Sequence, residues 1–173
     1  RLSIGLHWLM LVLLIAVYAC IELRELYPKG SDPREAFKAW HFMLGLSVFF
    51  LAMLRLVVRL LRPVPSISPE PSQAQKRVAG LMHAMLYLLM IGAPLLGWLY
   101  LSAAGKPIPF FGFDMLSLLA ENKELAGTIK GVHQQFGTVG YVLIGVHAVA
   151  ALFHHYVVRD NTLLRMLPVR TTS

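Results

Sequence analysis

Seven histidines are the residues best placed to do chemistry in this chain. His7, His41, His83, His133, His147, His154 and His155 all fall in or at the ends of long apolar segments. His133 and His147 lie fourteen residues apart in one of them. Fourteen residues is nearly four helical turns, so both imidazoles project from the same helix face. At 1.5 Å per residue they stand about 21 Å apart along the axis. That separation places one near each side of a hydrocarbon core about 30 Å thick. Ionisable residues inside a membrane are costly and point to function. Two stacked haems carrying electrons across a bilayer would use this arrangement. Two unrelated polar residues lining a bundle are the plainer alternative.

The lone cysteine, Cys20, rules out several other chemistries. It cannot form a disulfide within the chain, and there is no Cys-x-x-Cys-His attachment motif. Thiolate zinc sites and iron–sulfur clusters need more cysteines. Any haem must therefore be held by histidine, without a covalent link.

The elements that must position these histidines are spans. The chain has 173 residues, 57% hydrophobic and 14% charged, unlike an ordinary soluble domain. Leu2–Ile21, Val78–Gly105 and Gly131–Val158 carry no formal charge. Ala39–Leu54 is equally clean, and its apolar pattern runs past Arg55 and Arg59 to Leu61. Each supplies the roughly 20 residues that a spanning helix needs. The expected fold is all-α: a four-transmembrane-helix up-and-down bundle forming one integral membrane domain over residues 1–173. The first segment is expected to be a permanent span. It is too long for a secretory h-region, contains His7, and lacks a small-x-small cleavage site. With Arg rather than Met at position 1, a short preceding piece is expected.

Charge sets the orientation. With the N-terminus inside, one outer connection holds Arg24, Lys29, Arg34 and Lys38 against Glu22, Glu25, Asp32 and Glu35. The other holds Lys106, Lys123 and Lys130 against Asp114, Glu121 and Glu124. Both balance. Arg1, Arg55, Arg59, Arg62, Lys76, Arg77, Arg159, Arg165 and Arg170 then face Glu70 and Asp160 on the inner side. The whole excess of +7 lies inside, which places both termini in the cytoplasm. Anionic lipid headgroups explain the basic balance, so no nucleic-acid partner is needed.

The connections are polar or proline-rich. Arg62–Gln75, with Pro63, Pro65, Pro69 and Pro71 among serines, describes an extended linker. Pro107–Phe113 carries prolines and aromatics suited to a membrane surface. Asp114–Leu125 is expected to form a short amphipathic helix. Pro94, in Gly92-Ala93-Pro94-Leu95-Leu96-Gly97, should bend the third span, either to open space or simply to pack.

Alternating topology gives each histidine a depth. Only His41 and His133 reach the outer side, so one bis-histidine haem must use that pair. On the inner side His147 is the first choice, and its partner is either His7 or His83. Small residues follow the ligand candidates on the same face: Gly45 after His41, Gly137 and Gly140 after His133, and Ala151 after His147. Lys38 and Lys130 each stand three residues before an outer histidine, where they could pair with haem propionates, attract an anion or anchor a helix end. Trp8, His83, His154, His155, Tyr156 and Arg159 could shape an inner pocket for a quinone. His154 lies on the His147 face, while His155 turns about 100° away towards headgroups. Trp8 and Tyr156 also suit an interfacial role.

The sequence resembles the bacterial cytochrome b561 family over its whole length. The resemblance rests on Ile4-Gly5-Leu6-His7-Trp8, on His83-Ala-Met-Leu-Tyr87 leading to Pro94-Leu-Leu-Gly97, on Gly140-Tyr141 with His147, and on His154-His155-Tyr156. The run Asp160–Pro168 is similar to the superoxide oxidase branch. The resemblance implies two b haems, ligated by His7 with His147 and by His41 with His133. It implies superoxide:ubiquinone oxidoreductase activity, with ubiquinone near the inner haem, where His154 matches. Lys38, Lys130 and Arg24 would then steer superoxide to the outer haem. The implied location is the bacterial inner membrane, with the quinone pool as partner and no obligate protein partner. The alternative function is an electron-transfer module: a reductant of a periplasmic protein, or the anchor of a dehydrogenase or hydrogenase.

Overall fold

The computed structural model describes residues 2–61 and 67–167. Arg1, the Arg62–Ser66 part of the expected linker, Pro168 and Arg170 lie outside the described residues. Four helices dominate: α1 (Leu2–Leu23), α2 (Asp32–Leu61), α3 (Gln73–Ala103) and α4 (Lys123–Phe153). All four are long and apolar enough to cross a membrane. Consecutive helices pack side by side, forming an up-and-down bundle. Their outward faces are apolar: Val12 is 62% exposed and Val149 65%. Side chains of this kind need lipid, not water, around them.

The helices overrun their uncharged windows. α2 starts seven residues before Ala39, and α4 starts eight before Gly131. Charge excludes those extra turns from hydrocarbon but not from a helix that projects beyond it. The helix starts carry ordinary signals. Ser72 and Gln75 form a reciprocal capping box at α3, and the Asn122 side chain accepts from the Leu125 N–H at α4.

The helix expected over Asp114–Leu125 is not there. β1 (Pro109–Phe110) pairs with antiparallel β2 (Phe113–Asp114) in a tight hairpin. Its two turn residues, Phe111 and Gly112, have φ of 47° and 92°, as a type I′ turn demands. The chain then runs irregularly across the end of α3. The Leu116 carbonyl accepts from Trp98 Nε1, the Leu118 N–H donates to Ser102 Oγ, and the Asn122 N–H donates to the Ala103 carbonyl. Partners on α3 satisfy this backbone, so no internal helix is needed.

At the other end α4 widens into a π-helical turn at His154–Val158, stopped by Arg159 in the left-handed region. The chain then folds back. Asn161 exchanges hydrogen bonds with Ser68, and a single 3₁₀ turn follows at Leu164–Met166.

Candidate functional site: paired histidines

The bundle brings His41 of α2 opposite His133 of α4, their ring centroids 6.1 Å apart and their planes nearly perpendicular, at 88°. Their Nδ1 atoms meet backbone carbonyls on two different helices. His41 Nδ1 lies 3.0 Å from the Val17 carbonyl on α1, and His133 Nδ1 lies 2.8 Å from the Ala93 carbonyl on α3. A carbonyl only accepts, so each Nδ1 carries the proton and each Nε2 keeps its lone pair. Metal-binding histidines are held in this way. Two collinear metal–nitrogen bonds of about 2 Å, with the half-width of each ring, bring the centroids to roughly 6 Å. The observed separation fits a shared metal.

Space surrounds this pair. A cavity of about 860 Å³ is lined by His41, His133, Gly45, Gly97 and Gly137, among others. A Cβ added at Gly45 or Gly137 would enter open space. At Gly97 it would lie 3.4 Å from Cε1 of His133. The Ala93–Gly97 stretch of α3 thus offers a carbonyl and a glycine to the same imidazole. Gly140 differs from the sequence expectation. Its missing side chain makes room for the Tyr18 hydroxyl and Leu89, so it serves helix packing. Tyr18 uses that room to donate to the Gly137 carbonyl at 2.9 Å, tying α1 to α4. Tyr141 adds a second tie, donating to Glu22 at 2.6 Å.

The cavity has an electrostatic sign. Arg24, Lys29, Arg34, Lys38, Lys106 and Lys130 line it, against Glu22 and Glu35. The outer connections balance in sequence, but cations outnumber carboxylates at the cavity. The three cations singled out from sequence differ in freedom. Lys38 pairs with Glu35 at 2.6 Å, and Arg24 pairs with Glu25 at 3.0 Å. Lys130 has no ion pair among the described residues. Arg34 is buried and structural: it donates to the Arg24 and Tyr27 carbonyls and pairs with Glu25. Lys29 and Lys106 were missed because sequence distance from a histidine does not report loop packing.

At the inner end His147 meets two histidines. Its ring centroid lies 6.2 Å from that of His7 and 5.6 Å from that of His83. Separation alone therefore leaves both partners in reach. Nδ1 of His7 is held at 2.7 Å by the Arg55 guanidinium. Arg55 was counted in the sequence only as a charge; its position in an acid-free span was the overlooked signal. Trp8 packs edge-on against His7, and its indole donates to the Met166 carbonyl at 2.6 Å. His154 pairs through Nδ1 with the buried carboxylate of Asp160, 2.5 Å away. His155 packs against Tyr156. Among the described residues, no group of three His, Cys, Asp or Glu side chains is gathered to hold a bare metal ion. His41 and His133 meet as a pair, whereas His147 meets both His7 and His83; either arrangement offers two imidazoles that could hold a haem iron.

A fold of four membrane spans with histidines paired at two depths defines a b-type membrane cytochrome. The family described as "Prokaryotic cytochrome b561" matches residues 1–169, and the chain belongs to it. The chain is 41% identical over 170 residues to "Cytochrome b561 homolog 1" of Escherichia coli (strain K12), covering 98% of this chain and 97% of that one. It is also 41% identical over 167 residues to "Probable superoxide oxidase CybB" of Yersinia pestis, covering 96% and 94%. "Cytochrome b561 homolog 2" of Escherichia coli (strain K12) is 28% identical over 167 residues, covering 96% and 89%. The chain is thus a multi-pass membrane protein of a family that transfers electrons through b haem.

Proposed function

We propose that this protein oxidises superoxide at the periplasmic face of the bacterial inner membrane and reduces ubiquinone at the cytoplasmic face. Two b haems connect the faces, one between His41 and His133, the other between His147 and His7. The observation that carries this reading is the outer pair: two imidazoles 6.1 Å apart, both with Nδ1 on a carbonyl, in a cavity rimmed by cations. Haem b held by His41 and His133 would supply a one-electron couple there, and ligation by two imidazoles suits electron transfer over oxygen binding.

The residues of the chain do the rest. Lys130, with Lys29, Lys38, Lys106 and Arg24 around the same cavity, raises the local concentration of a small anion. Superoxide gives up one electron there and leaves as dioxygen. Two such electrons, with two protons, convert ubiquinone to ubiquinol at the inner face. His83, His154 and Trp8 are the groups we assign to that end. His154 offers a ring nitrogen oriented by Asp160, and Trp8 offers an apolar wall beside His7. The name of the Yersinia pestis relative, a probable superoxide oxidase, supports superoxide as the electron donor.

The test is anaerobic purification followed by superoxide-driven reduction of ubiquinone, read as quinol formed per superoxide consumed. Reduction in the ratio of one quinol to two superoxides supports the reading. Haem that superoxide cannot reduce, but that a quinol or a periplasmic protein can, favours the electron-transfer module instead.

A further inference from the structure

The inner half of the bundle contains a guanidinium with no carboxylate partner. Leu2–Ile21, Ala39–Leu61, Val78–Gly105 and Gly131–Val158 hold no Asp or Glu at all. Arg55 lies in the second of these, half-buried, and among the described residues no carboxylate pairs with it. Its Nη1 is instead 2.7 Å from Nδ1 of His7. A cation held in an apolar span without an anion is costly.

The contact also fixes a tautomer. A guanidinium has donors and no acceptor. Nδ1 of His7 therefore accepts, and the neutral ring keeps its proton on Nε2. His41 and His133 are the opposite, with Nδ1 donating to a carbonyl and the Nε2 lone pair free. A protonated Nε2 cannot ligate iron. For His7 to face His147 across a metal, Arg55 must release Nδ1 and take another acceptor. A carboxylate is the strongest candidate, because the planar fork of arginine matches its two oxygens. Haem b carries two carboxylates, its propionates.

Resting on the two-haem reading above, we propose that Arg55 binds a propionate of the inner haem, and that this contact frees His7 to present its Nε2 lone pair. Arg55 is then a cofactor-anchoring residue, and the choice between His7 and His83 depends on it.

The test compares haem b with its dimethyl ester, which lacks the carboxylates, in reconstituting the haem-depleted full-length protein. The readouts are haem stoichiometry and the midpoint potential of each haem. Wild type should prefer haem over ester at the inner site by about tenfold or more, the scale of one lost charge-assisted hydrogen bond. Arg55→Gln should abolish that preference, keep the outer haem, and lower the inner midpoint potential, since a nearby cation favours the reduced iron. Arg55→Lys should keep the potential near wild type. Equal uptake of haem and ester by the wild-type inner site overturns the proposal, even if the glutamine variant does not fold. An inner potential unchanged in Arg55→Gln overturns it as well. Wild type that binds only one haem instead sinks the two-haem reading, before Arg55 is touched.

Discussion

His133 on α4 rests its Nδ1 on the carbonyl of Ala93, 2.8 Å away on α3. Pro94 follows Ala93 inside the same helix and, lacking an N–H, leaves the Met90 carbonyl one turn earlier without its ladder bond. The third helix thus aims the ligand candidate of the fourth, although it supplies no outer histidine itself.

The proposed outer ligation is tested by haem counting. Pyridine haemochrome should report about two haems per wild-type chain and about one after His41→Ala or His133→Ala. Two haems retained in either variant would mean that this pair holds none.

The inner pair is separable by spin resonance. His7→Ala should lose the inner bis-histidine signal, while His83→Ala should keep it and slow quinone reduction. The reverse pattern would assign the inner ligand to His83, whose ring stands closer to His147.

Salt should slow the reaction with superoxide, because steering by exposed charge weakens with ionic strength. Lys130→Gln should flatten the salt dependence more than Lys38→Gln, since Lys38 is already neutralised in part by Glu35. Stopped-flow rates at two ionic strengths decide it, provided haem content is unchanged. A salt dependence left unchanged by both substitutions would return both lysines to anchoring helix ends.

Asp160 should make stability depend on acid. Burial raises the pKa of its carboxyl, but hydrogen bonds from His154 and Thr162 outweigh burial and hold it below the ordinary value. A depressed folded pKa stabilises the fold above the unfolded value of about 3.9. That contribution is lost as pH falls through the folded pKa. Asp160→Asn should therefore cost about 1–3 kcal/mol near pH 7 and progressively less below about pH 4. Thermal melts in detergent at the two pH values check the sign.

Gly140→Ala should loosen the joint between the first and last helices. The added methyl meets the Tyr18 hydroxyl and breaks its bond to Gly137. The expected cost is about 1–3 kcal/mol, typical of overpacking. Tyr18→Phe in the same chain should recover part of it, and a melt no lower than wild type would show that the helices adjust freely.

Much of this was legible from residue spacing. The four spans followed from runs without charge, and the outer pair followed from depth, because only His41 and His133 reach that side. What escaped depends on lateral packing, which sequence periodicity does not encode. Lys29 and Lys106 reach the cavity through their connections. Gly140 was grouped with Gly137 on the histidine face, yet it receives Tyr18 from another helix. The hairpin at Pro109–Asp114 replaced an expected helix because α3 satisfies the backbone that follows it. His154 was placed by helical phase alone, and its carboxylate partner lies past the π-helical turn where that phase ends.

Each histidine pair takes one member from α4, the fourth of the described spans. With spans inserted in chain order, the other members enter the membrane first, and neither pair exists until α4 joins them. A chain released before Lys123 would carry His7, His41 and His83 without His133 or His147.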